Sequence, residues 1–216
     1  MIFTKEEYSS RLEKVKKKMS EKDLDILVIS DPSNMNYLTG YDGWSFYVPQ
    51  GVIVALDRDE PIWFGRKQDS NGARITTFLK EENILGYPES LIQSPPSHPY
   101  DYVASYIHDN KWEKKNIGVE MDSYYYTAEN HNRLITKCPN ANFKNGHLLV
   151  NWIRYIKSDA EIAFMQEGAK LVQAGMQTAY NEIKPGVKQS YVAGKIQQTL
   201  LAGNDQVQIG GEYSGL

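Results

Sequence analysis

The strongest constraint on the fold is an alternation of short apolar runs with amphipathic segments through roughly the first 145 residues. The apolar runs are β-rich and are closed by turn residues, which predicts strands. They are Leu24–Ser30, Gly51–Leu56, Ile62–Phe64, Asn83–Gly86 and Asn116–Glu120. Four segments are predicted to be helices. The first follows a capping box at Thr4 and Glu7, and the others are Gly72–Leu79, a segment around Tyr102–Ile107, and Thr127–Thr136. Asp31–Asn34 is predicted to be a turn and Ser94–Pro99 a loop. Strands that alternate with helices predict a layered α/β domain.

The pattern changes after Asn145. Ser158 and Glu161 form a second capping box, and an apolar stripe follows from Ile162 to Ala179 at spacings of three and four, which predicts a long amphipathic helix. The breaker Lys184-Pro185-Gly186 separates it from a second helix, Gln189–Ala202, and residues 206–216 resemble the start of a strand. Two helices cannot bury both of their faces alone. We therefore predict two domains, 1–150 and 151–216, and expect the second to be incomplete.

Composition excludes several classes of partner. With 24 Lys and Arg against 27 Asp and Glu, the net charge of -3 gives no electrostatic basis for binding nucleic acid or an anionic membrane. No apolar run approaches the ~20 residues that a membrane-spanning helix needs. A single cysteine, Cys138, rules out an intrachain disulfide and suits a reducing compartment. The first ten residues lack the pattern of a signal peptide, so we predict a cytoplasmic protein.

One segment has an unusual concentration of aromatic residues. Residues 40–50 read Gly-Tyr-Asp-Gly-Trp-Ser-Phe-Tyr-Val-Pro-Gln, and the glycines and proline predict a loop between strands. Rings in such a loop are poorly placed to be ordinary core. We predict that Tyr41, Trp44 and Phe46 line a small-molecule pocket or a subunit interface, while covering the sheet edge is the alternative.

A polar segment, residues 65–72, follows the strand Ile62–Phe64. Ligands of open α/β sheets gather near strand ends, and the planar guanidinium of Arg66 can clamp a carboxylate. Arg66 is therefore a candidate substrate-binding residue. The alternative is an exposed turn in which Asp69 and Ser70 cap the next helix.

The sequence contains no complete catalytic motif. The histidines are scattered without metal-ligand spacing, the segment around Lys195 fails the phosphate-loop pattern, and no serine-hydrolase elbow is present. From the residues alone, neither a metal site nor a nucleophile is predicted.

Four segments, taken together and in order, resemble the creatinase/prolidase family of "pita-bread" hydrolases. Asp31–Gly40 is similar to the signature Asn-x-x-Tyr-Leu-Thr-Gly that follows a strand in the first domain. Ile117–Asp122 is similar to an Ile-Gly-x-Glu segment, Ile153–Ile162 to the domain-junction signature, and Ile183–Val187 to the turn between the first two helices of the catalytic domain. Residues 40–47 and 65–72 look most like ectoine-hydrolase-type members, although the creatinase arginine is absent from Tyr41–Gln50.

The resemblance implies a ribonuclease-H-like mixed sheet with flanking helices, followed by the first helices of a truncated α+β pita-bread domain. It implies a C–N bond hydrolase of the ectoine-hydrolase or Xaa-Pro dipeptidase and aminopeptidase type, acting as a homodimer on a small molecule or dipeptide. Peptidase members use two divalent metals, and creatinase-type members use a histidine without metal. In the family, the metal ligands and the catalytic histidine lie beyond the second helix. The chain alone is therefore predicted to be inactive and to bind no cofactor. Its predicted role is to supply substrate-shaping and dimer contacts. The alternative is a non-catalytic peptide- or protein-binding module.

Overall fold

A computed structural model describes residues 2–203, and these divide between Ile156 and Lys157 into two compact units. The first unit is a mixed sheet with helices on both faces, as the α/β prediction required. Its strands are β1 (Ile26–Ile29), β2 (Gly51–Ala55), β3 (Ile62–Arg66), β4 (Ile84–Tyr87), β5 (Asn116–Val119) and β6 (Asn142–Asn145). Its helices are α1 (Lys5–Glu21), α2 (Pro32–Thr39), α3 (Ser70–Thr76), α4 (Pro99–Asp109), α5 (Ala128–Lys137) and α6 (Leu149–Arg154).

The sheet has six strands in the order β4-β3-β2-β1-β5-β6, and β2 runs against the direction of the other five. Val28 of β1 pairs with Ile53 of antiparallel β2 on one side and with Val119 of parallel β5 on the other. Five strands therefore end at one edge of the sheet, and β2 begins there. The loop that leads into β2 is placed at this carboxyl edge, where open α/β sheets bind ligands.

Successive side chains of each strand point to opposite faces, so the buried strands build two separate cores. Leu27 and Ile29 of β1 pack with α1 and α2 on one face, whereas Ile26 and Val28 pack with α4 and α5 on the other. Both faces of the sheet are thus covered, and the four residues of β1 are all fully buried.

Four elements differ from the sequence prediction. The predicted turn Asp31–Asn34 is instead the start of α2, with Asp31 as N-cap and Pro32 at the first helical position. The predicted helix Gly72–Leu79 begins and ends earlier, as α3. Neither β6 nor α6 was predicted, and α6 spans the domain boundary that was placed after residue 150.

The second unit contains α7 (Asp159–Glu182) and α8 (Gln189–Ala202). The capping box of Ser158 and Glu161 is present in both directions, as predicted. The two helices pack on each other where Thr178 and Thr199 share a hydrogen bond of 2.9 Å. Large residues of the predicted stripe are exposed, namely Ile162, Met165, Val172 and Met176. The strand start predicted within residues 206–216 lies outside the described residues.

Candidate functional site

Three of the signature segments meet at the side chain of Asn34, which is fully buried near the carboxyl edge of the sheet. Its amide nitrogen donates to Glu120 Oε1 at 2.7 Å and to Asn151 Oδ1 at 2.8 Å. Its oxygen accepts from Arg154 at 2.7 Å. The amide therefore uses both of its hydrogens and its acceptor, and it connects α2, the end of β5 and α6.

Glu120 is the charged centre of this network. Its Oε2 accepts from the backbone N–H groups of Ser30 and Asp31 at 2.7 and 2.8 Å, and its Oε1 accepts from Asn34. Both oxygens act only as acceptors in these bonds, which is the pattern of an ionised carboxylate. Burial raises the pKa of Glu120, and the three N–H donors oppose that rise because they stabilise the charged form.

Gly40 ends α2 and begins the aromatic segment. Its φ of +78° lies in the left-handed region that glycine adopts without strain. A Cβ at this position would come within 2.7 Å of Tyr8 Oη and 3.2 Å of the Thr76 carbonyl oxygen. Only glycine fits here, and the chain can then turn sharply toward residue 41.

The ends of the segment 41–50 are fixed in the core, and Tyr41 is one of the anchors. Tyr41 is 4% exposed, its ring packs on Trp63 with centroids 5.2 Å apart, and its hydroxyl donates to Gln50 Oε1 at 3.3 Å. Burial, and then the nearby charge of Asp69, raise the pKa of Tyr41 to about 12, so the hydroxyl stays protonated at neutral pH. The expectation that this ring lies outside the core was wrong, because the segment folds back onto the sheet at both ends.

Arg66 lies at the end of β3 and is held by two carboxylates. It donates to Asp69 Oδ1 at 2.9 Å, and its other terminal nitrogen is 3.5 Å from Glu89 Oε1. Asp69 Oδ2 in turn accepts from Gln50 Nε2 at 2.8 Å. The hydrogen bond to Asp69 raises the pKa of Arg66, and a contact with Tyr47 adds to the rise. Asp69 occupies the N-cap position of α3 without capping it, and its two oxygens accept instead from Arg66 and Gln50.

The tip of the segment is exposed, in contrast to its ends. Trp44, Phe46 and Tyr47 are 60%, 67% and 61% exposed, and the rings of Trp44 and Phe46 meet edge to face at 6.5 Å. Val48, next to this tip, is buried, and its N–H donates to Ser45 Oγ at 3.0 Å. Residues 44–47 thus form a protruding aromatic tip on a fixed base, which we call the aromatic tip.

A cleft of about 210 Å³ opens beside the aromatic tip, at the carboxyl ends of β1 and β5. These two strands are parallel neighbours whose chains continue to opposite sides of the sheet, which is the position where doubly wound sheets bind ligands. Phe46, Tyr47 and Gln50 line one wall, and Tyr124, Tyr125 and Asn130 line another.

The structure brings the predicted residues together only in part. Phe46 lines the cleft, Trp44 contacts Phe46, and Tyr41 and Arg66 are joined to the cleft residue Gln50, the latter through Asp69. Sequence reasoning missed Tyr124 and Tyr125, although their position a few residues after the end of β5 was a usable signal.

Among residues 2–203, no three His, Cys, Asp or Glu side chains converge so as to hold a metal ion. The same residues contain no helix long and apolar enough to cross a membrane.

Comparison with known proteins agrees with this geometry. Residues 11–156 match the family model described as the creatinase/prolidase N-terminal domain. The chain belongs to the creatinase/prolidase family. The matched range contains the whole sheet, the Asn34 network and the aromatic tip, and it ends where the first unit ends.

Several curated proteins are similar to this chain over nearly all of its length. The ectoine hydrolase of Halomonas elongata is 43% identical over 99% of this chain and 54% of its own length. An uncharacterized hydrolase/peptidase of Sinorhizobium fredii is 41% identical over 99% of this chain and 53% of its own. The chain therefore spans about half the length of these curated relatives.

The fold is also that of solved creatinase/prolidase structures. An Xaa-Pro dipeptidase from Bacillus anthracis superimposes with a TM-score of 0.70 at 18% identity, covering 89% of this chain and 48% of that chain. At this identity the likeness concerns the fold, which confirms the mixed α/β architecture that the resemblance implied.

Proposed function

We propose that this chain is the amino-terminal portion of a C–N bond hydrolase of ectoine-hydrolase type, in which the aromatic tip shapes the substrate site. The observation that carries the proposal is the 43% identity with an ectoine hydrolase along 99% of the chain. Hydrolysis of an Xaa-Pro dipeptide is the second candidate, because a solved relative of the same fold is an Xaa-Pro dipeptidase.

In this proposal the residues of the tip and of its base have different roles. Trp44 and Phe46 are exposed and would contact substrate, either in the same subunit or in the partner of a homodimer. Tyr41 is buried and Arg66 is paired with two carboxylates, so we assign these two residues to positioning the segment rather than to contacting substrate. The protein would work in the reducing cytoplasm, where its one cysteine stays free.

The first test is to assay the complete gene product on ectoine and on an Xaa-Pro dipeptide, with and without added divalent metal. Turnover of ectoine supports the first candidate, and turnover of the dipeptide alone supports the second. Binding without turnover of either would instead favour the non-catalytic module. The 216-residue chain by itself is expected to be inactive, and robust turnover by it would contradict the assignment of the chemistry to residues elsewhere.

The second test addresses the aromatic tip. Trp44→Ala in the complete protein should lower kcat/KM at least about tenfold, the equivalent of roughly 1.4 kcal/mol of transition-state binding, and leave the thermal midpoint unchanged. Trp44→Phe should restore most of the rate because it returns an aromatic face. An unchanged rate in Trp44→Ala would return the ring to the role of covering the sheet edge.

A further inference from the structure

We infer that Gln50 and Asp69 are positioning residues for the aromatic tip, and that they act by fixing the directions of a chain of hydrogen bonds beneath it. Their effect on turnover rests on the proposed function, whereas their effect on the order of the tip does not.

The chain of hydrogen bonds begins and ends in the same loop. The Tyr41 hydroxyl donates to Gln50 Oε1 at 3.3 Å, and Gln50 Nε2 donates to Asp69 Oδ2 at 2.8 Å. Arg66 donates to Asp69 Oδ1 at 2.9 Å and also contacts Tyr47, which belongs to the tip. Three points of the aromatic loop are therefore tied together through two side chains of the polar segment that follows β3.

The carboxylate of Asp69 sets the direction of both bonds at Gln50. A carboxylate has no hydrogen to donate, so Gln50 must turn its NH2 group toward Asp69. The amide oxygen of Gln50 then faces Tyr41, whose hydroxyl has a single hydrogen and donates it there. Both ends of the amide are used, and the Gln50 side chain has one favoured orientation.

The base of the loop is shielded from water, so a reversed bond there is costly. Tyr41 and Gln50 are 4% and 6% exposed, and the side chain of Asp69 is 16% exposed. A buried hydroxyl or amide group that loses its partner is not compensated by solvent. The rings of Trp44 and Phe46 are mostly exposed and bury little surface of their own, so the base determines where the tip stands.

A single substitution at Gln50 or Asp69 puts two like groups face to face. In Asp69→Asn, the new amide oxygen accepts from Arg66 and the new NH2 group faces Gln50, which must rotate to present its own oxygen. The Tyr41 hydroxyl then meets an NH2 group, and its hydrogen loses its acceptor. In Gln50→Glu, two carboxylates meet at the former Gln50–Asp69 bond and repel each other. Both variants should loosen the tip.

The double variant Gln50→Glu/Asp69→Asn restores every bond direction. The new carboxylate at position 50 accepts from Tyr41 and from the new NH2 group at position 69, whose oxygen accepts from Arg66. The net charge of the pair is unchanged. Independent destabilising substitutions add, so the rescue of two harmful changes by their combination would be specific to this chain of bonds.

The first test is hydrogen exchange, followed by mass spectrometry, on peptides that cover residues 41–50 of the 216-residue protein. Asp69→Asn and Gln50→Glu should each speed the exchange of these peptides at least about tenfold, and the double variant should return it to within about threefold of the parent. Parental exchange in Asp69→Asn, or a double variant that exchanges as fast as the single ones, would overturn the inference.

Asp57→Asn is the matched control for the exchange measurement. Asp57 lies beyond the other end of β2, and its carboxylate accepts one side-chain hydrogen bond, from Trp112 Nε1 at 3.1 Å. The asparagine oxygen can accept the same bond, so this variant removes a charge without reversing a bond direction. Exchange of residues 41–50 should stay at the parental rate, and an acceleration equal to that of Asp69→Asn would count against a specific role for Asp69.

The second test measures the kinetics of the complete gene product on the substrate that the parent turns over. Asp69→Asn should raise KM about tenfold and keep kcat within about twofold, because bound substrate orders a loosened tip again. The double variant should recover the parental KM. With an active parent, an unchanged KM in Asp69→Asn, or a double variant no better than the single ones, would refute the positioning role.

Failure of the proposed function gives a different result. A parent that turns over neither ectoine nor an Xaa-Pro dipeptide would contradict the hydrolase assignment, and the exchange rates of the single and double variants would then decide the inference by themselves.

Discussion

Replacing Asn34 by alanine should strongly destabilise the first unit, because this one side chain makes three buried or half-buried hydrogen bonds. The substitution removes the donors to Glu120 and Asn151 and the acceptor of Arg154, at 2.7, 2.8 and 2.7 Å. Asn34 is fully buried and Glu120 is 2% exposed, so water cannot readily replace the lost donor to the carboxylate. The change leaves a buried charge with one hydrogen bond fewer.

The size of the effect follows from the three bonds. Hydrogen bonds to charged groups are worth about 1.5–3 kcal/mol each, and a neutral one is worth about 0.5–1.5 kcal/mol. The bond to half-buried Arg154 is taken at the low end of the range for charged groups. The better helix propensity of alanine offsets up to about 0.7 kcal/mol of the loss. We therefore expect a loss of about 3–5 kcal/mol. At roughly 2–4 °C per kcal/mol for a chain of this size, the thermal midpoint should fall by about 6–20 °C.

The assay is urea and thermal unfolding followed by circular dichroism, with Asn36→Ala as the matched control. Asn36 lies on the same helix and carries the same substitution, but its side chain donates only one neutral bond, to the Tyr41 carbonyl oxygen at 3.2 Å. The control should lose no more than about 1.5 kcal/mol. If the two variants lose the same free energy of unfolding, the network does not stabilise the fold in the way argued here.

Two further predictions concern stability and reactivity. Gly40→Ala should lower the free energy of unfolding by about 1–3 kcal/mol, because the new Cβ meets Tyr8 and Thr76 at a positive φ. Gly168→Ala is the control and should be neutral or stabilising, because a Cβ there, inside α7, has no atom within 4 Å. A larger loss of thermal stability in Gly168→Ala than in Gly40→Ala would contradict this. Cys138 is fully buried, and burial raises the pKa of its thiol. Labelling by a thiol reagent at pH 8 should therefore be slow in the native protein and rapid in urea. Fast labelling of the native protein would show that the cysteine is accessible.

The sequence predicted the central strands of the sheet better than the edge strand β6 and the start of helix α2. The central strands are continuous apolar runs because both of their faces are buried, and such runs are recognisable without a structure. The edge strand Asn142–Asn145 has the sequence Asn-Phe-Lys-Asn and no fully buried residue, so it has no apolar pattern to recognise. The start of α2 was missed because Asp31–Asn34 has the composition of a turn, although proline is also favoured at the first position of a helix.

The site was predictable as a region but not as a set of contacts. The aromatic composition of residues 41–50 predicted a functional loop, and the structure leaves Trp44 and Phe46 of that loop exposed beside a cleft. The burial of Tyr41 depends on Trp63, and the second wall of the cleft comes from residues more than 70 positions away along the chain, at Tyr124 and Tyr125. No local pattern links residues so far apart, although the position of Tyr124 and Tyr125 a few residues after a strand marked each as a candidate.

The long reach of the Asn34 network has a consequence for how the protein is made. Asn34 is separated by 86 residues from Glu120, by 117 from Asn151 and by 120 from Arg154. During synthesis at the ribosome, the N–H groups of Ser30 and Asp31 therefore lack their acceptor until Glu120 has been added, and the Asn34 amide completes its bonds only after Arg154 has been added. A chain cut between Asn145 and Arg154 would lack the last of these partners, even though all six strands had already been translated.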